Sequence, residues 1–120
     1  MNERKLTDLM KENDFLYAIL VEKESGCYRE YGERSRLDHD GIVDSYISKD
    51  PTGVFDFLDG KILPQLVSQD RVVGLLSKPH PEYAIALFSH RNDDAIARYR
   101  WSSAVDKKIT AIWNSNEQPS

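Results

Sequence analysis

Two uninterrupted apolar runs limit what this 120-residue chain can become: residues 15–21 (FLYAILV) and residues 83–89 (YAIALFS). Each is short and mixes aromatic with branched side chains, which favours a buried strand over a helix. The second run is apolar enough for the centre of a sheet. After the first, Glu24, Ser25 and Gly26 read as a turn, with Gly26 suited to positive φ. Residues 27–31 (CYREY) then read as the return strand of a β-hairpin. Before the second run, residues 71–77 (RVVGLLS) read as its partner strand, joined to it by a rigid connector at residues 78–81 (KPHP). Residues 62–68 (ILPQLVS) read as one more strand, with Gln69 and Asp70 at the turn that follows. Pro64 means that this strand lies at an edge, begins after the proline, or carries a bulge.

The remaining segments carry helical spacing. Leu6, Leu9 and Met10 stand at i, i+3, i+4 among charges, a stripe that predicts a short helix over residues 3–12. Residues 37–59 read as helical in two parts. The first carries Leu37, Ile42, Val43, Tyr46 and Ile47, with Asp38 or Asp40 as its cap. Asp50 and Pro51 mark an interruption or a fresh start, and Val54, Phe55 and Leu58 continue an apolar face with Phe57 beside it. Gly60 is a suitable stop. Asn92, Asp93 and Asp94 offer caps for a long helix over residues 94–113, in which Trp101, Val105, Ile109 and Trp113 repeat at i+4. The order α-β-β-α-β-β-β-α, with short turns between most strands, predicts an α+β fold: an antiparallel five-stranded sheet with helices packed on one face. Residues 1–113 are expected to form one domain, and residues 114–120 (NSNEQPS) a flexible tail.

Composition narrows the classes of function. Sixteen basic against twenty acidic residues leave a net charge of −4, so no nucleic-acid footprint is expected. The apolar runs fall far short of the roughly 20 residues of a membrane span. Residues 1–14 are charged and lack the apolar core of a signal peptide. The one cysteine, Cys27, excludes an intramolecular disulfide. A cytoplasmic protein is the expectation.

No motif specifies a catalytic residue, a cofactor or a metal. Asp38, His39, Asp40 and Asp44 have the residue types of a cation site, but Gly41 falls too early for a calcium loop, and helix capping accounts for them. No two of His39, His80 and His90 have the close spacing of a zinc pair. Cys27 has only Arg29 nearby to lower its pKa and reads as a small buried residue. Glycine-rich phosphate loops and a nucleophile elbow are absent from the sequence. His90, Arg91, Arg98 and Arg100 are suited to an anion or acidic partner, but also to offsetting Asp93 and Asp94. Trp101 and Trp113 are interface-anchor types on a core-type stripe.

The element order and two strings resemble the Roadblock/LC7 family, whose fold is profilin-like. Residues 17–33 (YAILVEKESGCYREYGE) are similar to that family's hairpin, with a polar turn closing on glycine at Gly26. Residues 65–89 (QLVSQDRVVGLLSKPHPEYAIALFS) are similar to its three-stranded meander. The chain departs from the family in the break at residues 50–53 and in Pro64, near the strand that members use for pairing. The resemblance implies a non-enzymatic, cofactor-free homodimer that acts with a small Ras-like GTPase. The dimer contact would fall in the middle helical region and the first meander strand, on Ile42, Tyr46, Phe55, Leu58, Leu63, Leu66 and Ser68.

Two other readings fit the composition. A PAS- or GAF-like ligand sensor would enclose a cavity lined by Phe15, Tyr17, Phe55, Phe57 and Phe88. An acidic inhibitor or immunity-type protein would use its negative charge against a basic partner.

Overall fold

The computed structural model describes residues 3–38, 41–47 and 53–117. Its elements are α1 (Glu3–Glu12), β1 (Tyr17–Glu22), β2 (Tyr28–Gly32), a 3-10 turn (Arg34–Arg36), α2 (Gly41–Ile47), α3 (Gly53–Leu58), β3 (Gln65–Gln69), β4 (Val72–His80), β5 (Tyr83–His90) and α4 (Ala95–Glu117). The five strands form one sheet in the order β2-β1-β5-β4-β3. Every pair is antiparallel. The two apolar runs are neighbours at the middle, where Ile19 pairs with Ala86 and Tyr17 with Phe88.

The continuous apolar character of these runs has a plain cause: both faces of the sheet are covered. Ala18, Leu20, Ile85 and Leu87 point towards Leu6, Leu9, Val105 and Ile109 of α1 and α4. Tyr17, Ile19, Ala86 and Phe88 point the other way, towards Leu37, Val43, Val54 and Leu58. Successive strand residues face opposite sides, so a strand between two helical layers has no polar side. The sequence pattern requires helices on one face; the structure has them there and on the other face as well.

Local chemistry sets the element ends. Gly26 turns the first hairpin at φ 71°, a conformation open to glycine at little cost. β3 begins at Gln65, immediately after Pro64, so the proline stays out of the ladder. β4 does not stop at Ser77 but runs to His80, with a bulge between Ser77 and His80. The bulge takes up Pro79, which has no N–H to give a regular ladder, and the connector expected at residues 78–81 is thus mostly strand. Asp94 caps α4: its Oδ1 accepts the Ala97 N–H at 2.8 Å. The helix then continues to Glu117, past Trp113, where the apolar stripe ends. The expected caps and breaks at Asp40, Asp50 and Pro51, like His39, lie outside the described residues.

Gly74 of β4 is closely packed by side chains of both neighbouring strands. A Cβ there would meet the Phe88 ring at 2.8 Å and Val67 Cγ2 at 2.9 Å. Its missing side chain lets the Phe88 ring and Val67 close over the strand.

Candidate functional site

The sheet has two outer edges, and they are built differently. At one edge β2 pairs only with β1. Its side chains are tied down on both faces. Arg29 Nη1 donates to Glu3 Oε1 of α1 at 2.7 Å, and the Tyr31 hydroxyl donates to the same oxygen at 3.1 Å. On the opposite face the Tyr17 hydroxyl donates to Glu30, and Arg34 pairs with Asp44 of α2. Burial and the adjoining Glu30 carboxylate push the Tyr17 hydroxyl well above the usual tyrosine range.

At the other edge β3 pairs only with β4. Its five residues, QLVSQ, carry no charge. Leu66 packs partly against the α1–α4 layer and Val67 partly against the α2–α3 layer, while Ser68 and Gln69 are exposed. Immediately before the strand, Ile62 is 88% exposed and Phe57 of α3 is 46% exposed. The Lys61 ammonium sits 5.0 Å from the Phe57 ring centre. On the other face, Ile96 and Tyr99 of α4 are 67% and 69% exposed. Among the described residues, the exposed large hydrophobics are Phe57 and Ile62 in the segment leading into β3, Ile96 and Tyr99 on α4, and Tyr28 on β2.

The residues singled out from sequence divide. Ile42, Leu63 and Leu66 are partly buried and Ser68 is exposed, so each retains surface at or near this edge. Phe55 and Leu58 are only 6% and 1% exposed, within the layer beneath α3. They are spent on the chain's own core, and their neighbour Phe57 is the one that faces outward. Tyr46 belongs to α2, but its side chain lies outside the described residues. The exposure of Ile62, Ile96 and Tyr99 is not evident from the sequence pattern as a whole. Their signal was available for Ile96, which falls off the Trp101–Trp113 stripe; Ile62 had none, because it reads as part of a strand.

Other candidate chemistry is absorbed by structure. His90 Nε2 accepts the Asp38 N–H at 3.0 Å, and His80 Nδ1 accepts the Glu82 N–H at 3.1 Å. Cys27 is exposed in the hairpin turn rather than buried, its N–H bonded to Ser25 Oγ. Among the described residues no three His, Cys, Asp or Glu side chains gather as metal ligands. Arg91 and Arg98 converge on Asp93, and the Arg91 guanidinium lies 4.0 Å from the Trp101 ring centre. The hydrogen bond from Arg91, together with Arg98, holds the Asp93 carboxyl down at about 2, against an ordinary 3.8. Of that cluster Arg100 alone is exposed, the others being partly buried. Trp113 is buried against Tyr83, and Trp101 packs on Phe15.

Clefts among the described residues include the following two. One of about 330 Å³ lies between the α1–β1 turn and the β5–α4 connection, lined by Asn13, Asp14 and residues 89–93. One of about 380 Å³ lies beside the hairpin, lined by Leu20, Arg29 and Tyr83 among others. Neither contains the aromatic set of the sensor reading. Phe15 belongs to one layer, Tyr17, Phe55 and Phe88 to the other, and Phe57 to the surface. No helix among the described residues is long and apolar enough to cross a membrane.

No family model and no curated protein sequence matches the chain. Solved structures do match its fold. Myxococcus xanthus MglB is similar at a TM-score of 0.58 and 12% identity, over 90% of each chain. MglC from Myxococcus xanthus is similar at 0.54 and 15% identity, over 91% of this chain and 96% of that one. A Roadblock/LC7 domain from Streptomyces avermitilis is similar at 0.52 and 13% identity, over 88% of this chain and 95% of that one. The α-β-β-α-β-β-β-α order, with two short helices in its middle helical position, is the Roadblock/LC7 fold.

Proposed function

We propose that this chain is a non-enzymatic homodimeric scaffold that regulates a small Ras-like GTPase. The observation that carries the dimer is the β3 edge. An uncharged edge strand offers unpaired backbone N–H and C=O groups to any other strand, and stable monomers usually blunt such edges. Here the edge is flanked instead by Ile62 and Phe57, both exposed. A two-fold axis beside β3 would join two five-stranded sheets and cover these side chains. Ile42, Tyr46, Leu63, Leu66 and Ser68 remain in the proposed contact; Phe57 and Ile62 replace Phe55 and Leu58.

The GTPase is supported by the Roadblock/LC7 resemblance and by the fold that the chain shares with such domains. A scaffold role fits side chains that are committed to structure, with both described histidines accepting backbone N–H groups. It also fits a cytoplasmic, cofactor-free protein. The ligand-sensor reading has less support, because its five lining residues divide between two packed layers and the surface.

The test is solution mass by light scattering after size-exclusion chromatography, over a dilution series. Twice the 13.8 kDa chain mass is expected, falling to the single mass in Ile62→Lys. A strict monomer at high micromolar concentration would refute the dimer. For the GTPase, the probe is the small GTPase encoded nearest this gene, loaded with GTP. Co-elution and a changed hydrolysis rate are expected, and neither effect would sink that half of the proposal.

A further inference from the structure

We propose that the dimer contact has a second wall: the flank of α4 carrying Ile96 and Tyr99 is covered by a second copy of this chain, with Tyr99 packing over the partner's β3. The inference rests on the reading of β3 as the dimer edge and adds residues from an element outside it.

The geometry starts from the direction in which the flank points. Ile96, Tyr99, Ser103 and Asp106 follow one another at i+3, i+4 and i+3, so they share one stripe of α4. Asp106 on that stripe accepts the hydroxyl hydrogen of Ser77 on β4. Trp101, on the opposite flank, packs on Phe15 beside α1. The stripe therefore faces away from α1, over β4 and towards the β3 edge.

Its level along the sheet follows from helix and strand rise. α4 leaves the end of β5 and returns across the sheet, so it runs in the direction of β4. Tyr99 lies seven residues before Asp106, about 10.5 Å along the helix. That equals about three strand residues counted back from Ser77, which brings Tyr99 level with Gly74. Gly74 pairs with Val67, the middle residue of β3. Tyr99 thus stands level with the point where a two-fold axis at the centre of β3 would fall.

The width of the joined sheet decides what fills the gap. Across such a dimer the two β4 strands would be three strand spacings apart, about 14 Å. Directly packed helices need about 8–10 Å between axes. The two α4 helices cannot close on each other, so only long side chains on their facing flanks can cover Leu66 and Ser68 from above. Tyr99 is the exposed apolar side chain on that flank, and Ile96, one turn earlier, extends the apolar surface on its solvent side. A five-residue strand is also short of the roughly 800 Å² per partner of a stable interface, and a wall on each face of the sheet enlarges it.

The dimer dissociation constant is measured by sedimentation for the full chain, Ile96→Ser, Tyr99→Ser and the double variant. Both side chains are about two-thirds exposed, so urea unfolding at fixed monomer concentration controls for folding. A rise of about tenfold for Tyr99→Ser, and more for the double variant, is expected. A second readout pairs Tyr99→Cys with Leu66→Cys, each in a Cys27→Ser background. A short bismaleimide should link the two variants when mixed. A dimer with unchanged affinity and no Tyr99–Leu66 link would overturn this inference and leave the β3 edge standing. A wild-type monomer would overturn both.

Discussion

The two edges of the sheet meet the same physical problem in opposite ways. At β2, each face of the strand is held by polar and charged side chains of the chain itself, from Glu3 on one side and from Tyr17 on the other. A partner strand arriving there would have to displace or desolvate Arg29 and Glu30. At β3 no charge stands in the strand, and exposed apolar side chains precede it. Charges on an edge prevent association, and apolar flanks invite it. In the proposed dimer, the β2 edge keeps the assembly finite and the β3 edge makes it.

The strongest way to break this comparison is to show that α3 serves association through the residues that the chain has buried. Leu58→Ala empties a position 1% exposed in the α3 layer. It should lower monomer stability by about 2–5 kcal/mol in urea unfolding. If it weakens the dimer while leaving monomer unfolding unchanged, Leu58 is an interface residue and the division between Phe57 and Leu58 is wrong. Gly74→Ala comes next. Its new methyl group would press Phe88 and Val67, at a cost of about 1–3 kcal/mol. Because Val67 is the centre of β3, the dimer should loosen along with the fold.

At the β2 edge the expected effects are smaller and stay within one chain. Tyr17→Phe removes the hydroxyl bonded to Glu30 and should cost about 1 kcal/mol, with dimer affinity unchanged at equal folded fraction. Glu3→Gln cuts an exposed pair and should lower the melting temperature by only about one or two degrees. Dimer loss in either variant would mean that β2, and not β3, is the joining edge.

How much of this was legible in the sequence depends on whether a feature is local. Leu6, Leu9 and Met10 declared their helix by spacing alone, and all three are buried in one layer. The runs at β1 and β5 announced buried strands, and their unbroken apolar character already implied cover on both faces. The second covering layer is hard to read directly because α2 and α3 are seven and six residues long, too short to display a full apolar stripe. The same shortness hid which side of α3 faces out: with fewer than two turns, Phe55, Phe57 and Leu58 are equally plausible core residues. Cys27 was misplaced because a lone cysteine is usually buried, whereas here it belongs to the turn. The β3 edge could be anticipated from Pro64, but not the exposure of Ile62 beside it. That exposure is set by how the chain enters the strand, which no periodicity encodes.

The smallest effect sharpens the comparison from the side of α4. Asp93 stands just before that helix and takes hydrogen bonds from Arg91 and Arg98, while Arg91 also lies over Trp101. This clamp fixes the start of the helix whose flank carries Ile96 and Tyr99 towards β3. Because Arg91 above all, then Arg98, lowers the Asp93 pKa to about 2 from an ordinary 3.8, the ionised form is favoured in the folded chain. The sign follows from linkage: the unfolded chain takes up this proton first as pH falls, so the contribution is complete above about pH 4–5. It should fade as pH drops towards 2 and be gone below it. Melting temperature is therefore compared between the wild type and Asp93→Asn from pH 6 to pH 2, with other carboxylates common to both. The gap should be present at pH 6 and close steadily below pH 4. A gap that persists unchanged to pH 2 would mean that Asp93 acts by hydrogen bonding alone, and its charge would then play no part in aiming α4 at the β3 edge.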